Sequence, residues 1–430
     1  MSILTNKKPA SGYHPKKWKG RYSVLLLLWS AWLVSFLDRM VMNVSLPFIG
    51  EDLGLDKIEQ ASIISAFFIG YALFQIPGGY LSDRFGARKV MACAIVWWSV
   101  FTFFTGLIYI LPLMLLVRFL FGIGEGGFPA SSWKTIATYF PSQERGRATA
   151  IQSSVNTLGP AISVIVAVTI IEWLGWRAVF ILLSLPGLVL GYLIYRMIHN
   201  HPAENPLIKP EELHEIQKYN DNFNTPDNNV NLRNNSQSLA DVLKMPLLWK
   251  LSLIWFLFDI TFWGFTTWLP SYLLEARGLS LSKTGIWAAI PFLFGAVGTL
   301  IGGYLADKFV QRLKIIYGVT AILSASFLFF MFNVENLNAA IAFQCISALF
   351  MFIAFAIFWG MLMQLIPTVI MGKASSIVNF GGQVAGIVSP FIIGFLIEKS
   401  DGGYQSGFLF MVLSLIASAI LTLFIQKITR

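Results

Sequence analysis

Five ionisable residues lie deep within segments that are otherwise apolar. Asp38 and Arg39 are neighbours within the run 24–46. Sixteen residues separate Asp38 from Tyr22 at the edge of a polar tail. At roughly 1.5 Å per helical residue that is about 24 Å, which puts the pair inside a bilayer's hydrocarbon and not at its rim. Arg118 and Glu125 stand seven residues apart in the run 113–139, two turns apart on one helix face and about 10 Å along its axis. Asp259 sits in WFLFDITFW, from Trp255 to Trp263. Charges in such places are expensive, and they usually face a bundle interior or a wet cavity, pair with one another, and mark a solute or ion path.

The residue types suggest what that path would handle. Asp38, Arg39, Arg118 and Glu125 give two anions and two cations, a set that is neutral when empty. An arriving carboxylate upsets the balance and protonation of one acid restores it, which is the electrostatic logic of moving an anion together with protons. Arg39 suits the carboxylate, because a guanidinium fork pairs bidentately and keeps its charge in a low dielectric. Asp38 and Glu125 suit the protons, and Arg118 would hold or release them as protons come and go. The bland alternative is a pair of static ion pairs joining two helices. Asp259 could accept hydrogen bonds from hydroxyls, balance an ammonium, carry a further proton, or bond a neighbour as a protonated carboxyl.

Composition supplies the scaffold. Of 430 residues 56% are hydrophobic and only 12% charged, with mean hydropathy +0.67, far more apolar than a soluble chain. Apolar runs of spanning length fall near 24–46, 61–81, 90–110, 113–139, 148–171, 177–198, 248–274, 284–306, 314–332, 338–366, 373–396 and 404–426, which predicts an all-α membrane protein with twelve transmembrane helices. Lys57, Arg177, Arg277, Lys283 and Lys399 fall on one side and Arg39 and Arg118 inside spans, leaving 24 of the 31 basic residues for the other side. The positive-inside rule places that other side, with both termini, in the cytoplasm. The +9 charge is therefore loop asymmetry spread over short connections, and a nucleic-acid partner is not expected. The first run is too long for a signal-peptide core, so it is expected to be retained. Cys93 and Cys345 lie in runs and the four histidines lie outside them, so neither a disulfide framework, a metal site nor an intramembrane histidine relay is expected.

Four domains are expected: a tail at 1–22, a six-helix bundle at 23–198, a polar connection rich in Asn and Pro at 199–246, and a second bundle at 247–430. An offset of about 224 residues superimposes the halves. GGYLSDRF from Gly78 returns as GGYLADKF from Gly302. Leu46-Pro47 and Gly54-Leu55 return as Leu269-Pro270 and Gly278-Leu279, Pro141 and Gly146 as Pro367 and Gly372, and Asn156 as Asn379. Parallel six-helix repeats joined by a long connection are the layout of a transporter that rocks about a site between its halves. In the GYLSDRFGARK stretch Gly78, Gly79 and Gly86 are expected to admit a neighbouring helix. Asp83 beside Arg84 is expected to meet a helix N-terminus or a cation such as Arg145, forming a conformational latch whose second copy is Asp307-Lys308.

These residues resemble the major facilitator superfamily over essentially the whole chain, with GYLSDRFGARK as its signature between helices 2 and 3. More narrowly, Asp38-Arg39, RFLFGIGEGGFPA from Arg118, YFPSQERGRA from Tyr139 and WLPSYL from Trp268 resemble its anion:cation symporter branch, which includes sugar-acid transporters. The resemblance implies the major facilitator fold of two pseudo-symmetric bundles, proton coupling by Asp38 and Glu125, and substrate contact by Arg39. It also implies a cavity lined by Tyr71, Asn156, Trp359, Asn379 and Gln383, any of which could equally be a buried interhelical hydrogen-bonding group. Two positions depart from the branch. Phe36 stands where a Tyr is common, and its counterpart region in helix 7 carries Asp259 where a neutral polar residue is more usual.

The expected function is uptake of a small organic anion, such as a sugar acid or similar hydroxy-carboxylate, coupled to protons by alternating access in a bacterial inner membrane. The chain is expected to act as a monomer in the lipid bilayer without a cofactor. Proton-coupled uptake of an amino acid or other zwitterion is an alternative. So is a superfamily antiporter or exporter, since Gly159-Pro160 faintly resembles the exporters' motif without its flanking glycines. An enzyme is disfavoured because the connection is too short and polar for a catalytic domain and no nucleophile and base pair up among the spans.

Overall fold

The computed structural model describes residues 19–221, 239–366 and 370–425. Most of the expected tail, the Asn-rich part of the connection and Pro367 of the repeat lie outside the described residues. The spanning helices are α1 (Gly20–Leu53), α2 (Lys57–Phe85), α3 (Ala87–Thr105) and α4 (Leu111–Tyr139). A 55-residue helical stretch, Gln143–Met197, follows. It would be about 80 Å long if straight, more than twice the hydrocarbon thickness. It is broken at Gly175, whose φ of 78° is non-helical and suits a residue without a Cβ. Contacts show that the chain reverses there. Ser154 bonds Trp29 near the start of α1, and Arg177 bonds the Ile108 carbonyl and pairs with Asp52 near its end. Arg88 then donates to the Tyr195 carbonyl as the chain returns along α3. The arms 143–174 and 176–197 are therefore two crossings, α5 and α6.

The second half holds α7 (Pro246–Ala276), α8 (Leu281–Lys308), α9 (Val310–Asn333), α10 (Leu337–Leu365), α11 (Met371–Lys399) and α12 (Gln405–Leu421). This makes twelve crossings, and some helix ends run several residues past the apolar runs while α3 and α12 stop short of them. The repeat is visible in local geometry. Gly54 and Gly278 end α1 and α7 in the same left-handed conformation, with φ of 65° and 62°. Asp56 and Ser280, one repeat apart, each accept a backbone N–H to cap α2 and α8. Between the halves α2 packs on α11, α8 on α5, and α1 on α7. The apolar windows of α1 and α7 are each 67% buried and that of α3 39%, so the first two are central and α3 peripheral. Outward-facing residues such as Leu73, Ile76, Trp173 and Leu300 stay exposed, a surface suited to lipid.

Glycines decide how α4 meets α2. A Cβ on Gly122 would stand 2.2 Å from the Phe67 carbonyl oxygen, and one on Gly70 would stand 2.1 Å from the Phe119 carbonyl oxygen. Gly126 and Gly78 face backbone at 2.6 Å and 2.5 Å in the same way. Absence of side chains lets two backbones touch, the main route to van der Waals gain between helices in lipid. Gly79, expected to share this role, meets only an ordinary 3.7 Å contact with Ala130, because it lies one position round the helix from Gly78.

A helix at Pro210–Asp221 docks against the start of α1. Glu212 accepts from the backbone N–H groups of Gly20 and Arg21, both at 3.0 Å, and so caps α1 from outside the helix. Arg21 is fully buried, with Glu144 at 2.9 Å and Glu215 at 3.2 Å, and Lys19 reaches Glu215 at 2.7 Å. Partial burial alone would raise the Glu215 carboxyl, but the hydrogen bonds and charges of Lys19 and Arg21 hold it below its ordinary value.

Two outcomes are expected. Gly122→Ala should lower the thermal midpoint by several degrees and reduce the yield of monodisperse protein, and an unchanged midpoint would show that α2 and α4 can separate freely. A depressed folded-state pKa adds stability above the unfolded value, and that stability is lost as pH falls through the folded one. Docking of the 210–221 helix should therefore loosen on acidification below the ordinary carboxylate range, seen as faster hydrogen exchange there after correction for the intrinsic rate.

Candidate functional site

Arg39 projects from the middle of α1, where every residue from Val34 to Leu46 is buried. Its Nε donates to Oε2 of Glu125 on α4, and both residues are buried. The guanidinium carbon lies 4.8 Å from the Tyr71 ring centre and 5.2 Å from that of Phe67, both on α2. The close approach of α2 to α4 puts these rings beside the ion pair. Cation–π contact with two faces partly replaces the water that Arg39 has lost. Arg118 is also buried and lies 4.3 Å from the Phe121 ring centre and 5.5 Å from that of Phe67, while its Nε and one terminal nitrogen have no hydrogen-bond partner.

Asp38 is 1% exposed, and neither carboxylate oxygen has a partner with good hydrogen-bond geometry. Its electrostatic neighbours are Glu125 and Arg118, with the Thr102 hydroxyl beside it. Glu125 keeps one oxygen unpartnered as well. The first half thus brings Asp38, Arg39, Tyr71, Arg118 and Glu125 into one buried cluster. Of its groups, only Arg39 and Glu125 make a direct ion pair.

The second half presents Asp259 on α7. It is 5% exposed, and among the described residues it has no hydrogen bond or ion pair. Gly382 on α11 packs against it so closely that a Cβ there would stand 2.0 Å from Asp259 Oδ2 and 2.6 Å from Trp255 Nε1. Trp359 touches this group through Trp255, at 5.2 Å between ring centres. Gln383 follows Gly382 and has an unpartnered Oε1. Asn156 and Asn379 are half-buried and make no hydrogen bond among the described residues.

Above both clusters the halves meet in a seal. Phe68 of α2 packs edge-on against Trp263 of α7 at 4.7 Å, with Gly386 of α11 against the Phe68 ring. Ser65 donates to the Ile387 carbonyl at 2.8 Å and Asn43 to the Thr266 carbonyl at 3.1 Å. Farther out Lys57 bonds Glu275 at 2.7 Å and Glu398 at 3.1 Å, and Ser282 reaches Glu172. All these contacts lie toward the face opposite the connecting segment. Beyond the seal is a cavity of about 490 Å³ bordered by Glu51, Asp56, Lys57, Gln60, Glu275 and Glu398.

The signature loop behaves differently from expectation. Asp83 pairs with Lys134 at 2.7 Å, while the Nε of Arg145 donates to the Phe140 carbonyl at 3.1 Å. Lys134 wins because it projects from α4, the helix on which α2 already packs. Arg84 lies over the ring of Phe85. In the second copy Asp307 is exposed without an ion pair among the described residues, and Lys308 instead donates to Tyr304. The sequence reading missed Lys134, the acidic clasp on Arg21, and the unpartnered indole nitrogens of Trp255 and Trp263. A clue to Lys134 was available in its position along the last turns of the fourth apolar run.

Comparison with known proteins agrees with this architecture. The family model described as Major Facilitator Superfamily matches residues 28–390. A probable sulfoacetate transporter of Cupriavidus necator is 30% identical over 424 residues, covering 95% of each chain. A hexuronate transporter of Bacillus subtilis is 28% identical over 404 residues, covering 91% of each. Among solved structures, a bacterial homologue of the human lysosomal transporter Spinster in an inward-facing and occupied conformation superposes with a TM-score of 0.77. It shares 20% sequence identity, and the match covers 94% of this chain and 96% of that one. With twelve crossings, two related halves and buried charges between them, the chain belongs to the major facilitator superfamily and is a transporter, not an enzyme.

Proposed function

We propose that the protein imports a small organic anion, such as a sugar acid or similar hydroxy-carboxylate, together with protons by alternating access across a bacterial inner membrane, with the connecting segment on the cytoplasmic side. One observation carries the reading. The best carboxylate receptor in the bundle, Arg39, is held by Glu125. A substrate carboxylate and Glu125 compete for the same guanidinium. Protonating Glu125 removes its charge and frees the fork, so substrate binds most favourably once a proton is aboard. Arg118 and Asp38 lie within electrostatic reach of Glu125 and pass on its change of charge. The names of the two relatives, one for sulfoacetate and one for hexuronate, support an organic anion.

On this reading the seal bears on the direction of access: Phe68, Trp263 and the Lys57–Glu275 pair close the side away from the connecting segment, which supports a state whose substrate path opens to the cytoplasm. Opening outward breaks those contacts. The Asp83–Lys134 pair lies on the opposite side and serves as a latch within the first half.

In proteoliposomes with an imposed inward proton gradient, sugar-acid accumulation is expected. Glu125→Gln should abolish gradient-driven accumulation while leaving exchange of preloaded substrate measurable, and retained accumulation would remove Glu125 from coupling. Arg39→Lys should weaken half-saturation about tenfold to a hundredfold, since a point charge cannot reproduce the fork. Unchanged half-saturation would assign the carboxylate to another group.

A further inference from the structure

We infer that the second half carries a subsite for a cationic amine, so that among the organic acids the protein takes up it favours those bearing an ammonium group as well as a carboxylate. The inference rests on the uptake reading above and adds to it the chemistry at the far end of the substrate. It starts from a carboxylate without a partner. Asp259 is buried in the middle of α7, and among the described residues nothing donates to it. Such a group in a membrane bundle needs a proton or a cation. Among the described residues this half offers no cation inside the bundle, because Lys250, Arg277, Lys283, Lys308, Arg312, Lys314, Lys373 and Lys399 all lie at the ends of their helices or outside them.

The surroundings favour a cation over a hydroxyl. Trp255, one turn before Asp259, stacks with Phe258 at 5.2 Å and with Phe358 at 4.6 Å, and it meets Phe355 at 5.3 Å and Trp359 at 5.2 Å. Walled by these rings, a carboxylate pairs with an ammonium in a low dielectric, where an ion pair is stronger than in water. Polyol hydroxyls would instead call for amide or hydroxyl side chains in number. Beside Asp259 the polar groups are the Trp255 indole N–H and, next to Gly382, the Gln383 carboxamide; the Tyr317 hydroxyl lies within electrostatic reach but is bonded to Ser418 at 2.6 Å.

The two ends of the site stand at comparable depth. The helices α1 and α7 meet where Asn43 donates to the Thr266 carbonyl. Arg39 lies four residues from that crossing and Asp259 seven residues from it, both toward the connecting segment. These separations are about 6 Å and about 10 Å along the helix axes. Both residues also lie one turn inside the contacts of Phe68, since Tyr71, which flanks Arg39, follows Phe68 by three residues and Asp259 precedes Trp263 by four. Charge bookkeeping agrees. The first-half cluster is neutral by itself, so a simple anion added opposite Asp259 would leave two net negative charges within the bundle, whereas an amine-bearing acid leaves one, which the proton carried with the substrate offsets.

The test uses acids that differ only by exchange of a hydroxyl for an ammonium: gluconate against 2-amino-2-deoxygluconate, malate against aspartate, and lactate against alanine. Purified protein is compared by thermal shift, and proteoliposomes by proton-driven uptake. The amine-bearing member of at least one pair should win by tenfold or more in half-saturation, and Asp259→Asn should abolish that preference while still binding the hydroxy member. Uptake of hydroxy acids with no amine preference, or a preference that survives Asp259→Asn, overturns the subsite and leaves the uptake reading standing. Uptake of none of these acids, with no thermal shift by any, overturns both.

Discussion

The interaction on which this structure depends is the ion pair between Arg39 and Glu125 in the middle of a membrane bundle. Two ions taken from water into a low dielectric lose several kcal/mol of hydration each, recovered only if each sits against its opposite. Removing one partner of such a pair typically costs about 3–5 kcal/mol because the other is stranded. A pair of that kind is therefore either permanent cement or a switch whose partner is exchanged on cue. The unpartnered second oxygen of Glu125, the unpartnered nitrogens of Arg118 and an Asp38 that is in no direct ion pair argue for exchange. A static clamp would have satisfied its own lone pairs, and these groups are left ready for a proton or a ligand.

What holds the pair in place is the absence of side chains as much as their presence. Gly70 and Gly78 on α2 meet Gly122 and Gly126 on α4 so closely that any Cβ would overlap backbone. That approach sets Phe67 and Tyr71 beside Arg39, where their ring faces substitute for water. The seal works at the next level out. Phe68 belongs to the same turn of α2 but points at the other half, against Trp263 and Gly386. One short stretch of α2 thus serves both the charge cluster and the barrier above it, so a change in the cluster has a direct mechanical route to the seal.

Much of this was legible in the chain itself. Interrupted apolar runs gave the crossings and the intramembrane charges, because a bilayer leaves few alternatives to a helix of about twenty residues. The repeat was legible because the same backbone tasks recur: Gly54 and Gly278 adopt one conformation, and Asp56 and Ser280 cap the helices that follow. Partner choice was not legible. Arg145 and Lys134 are both cations near Asp83 in sequence terms, and only the packing of α2 on α4 selects Lys134. The same holds for Arg21, which reads as one more cytoplasmic positive charge until Glu144 and Glu215 close on it. The five residues expected as a loop between the fifth and sixth runs shrink to a break at Gly175, a reversal that its backbone angle and the contacts of the two arms reveal.

The central claim is that substrate carboxylate and Glu125 exchange places on Arg39 when a proton arrives. The most direct measurement is calorimetric titration of the purified protein with a transported acid in buffers of differing ionisation enthalpy, which counts protons taken up on binding. The account predicts net proton uptake by the wild-type protein and none by Glu125→Gln. Substrate binding that leaves the protein's proton content unchanged at every pH tested would contradict it.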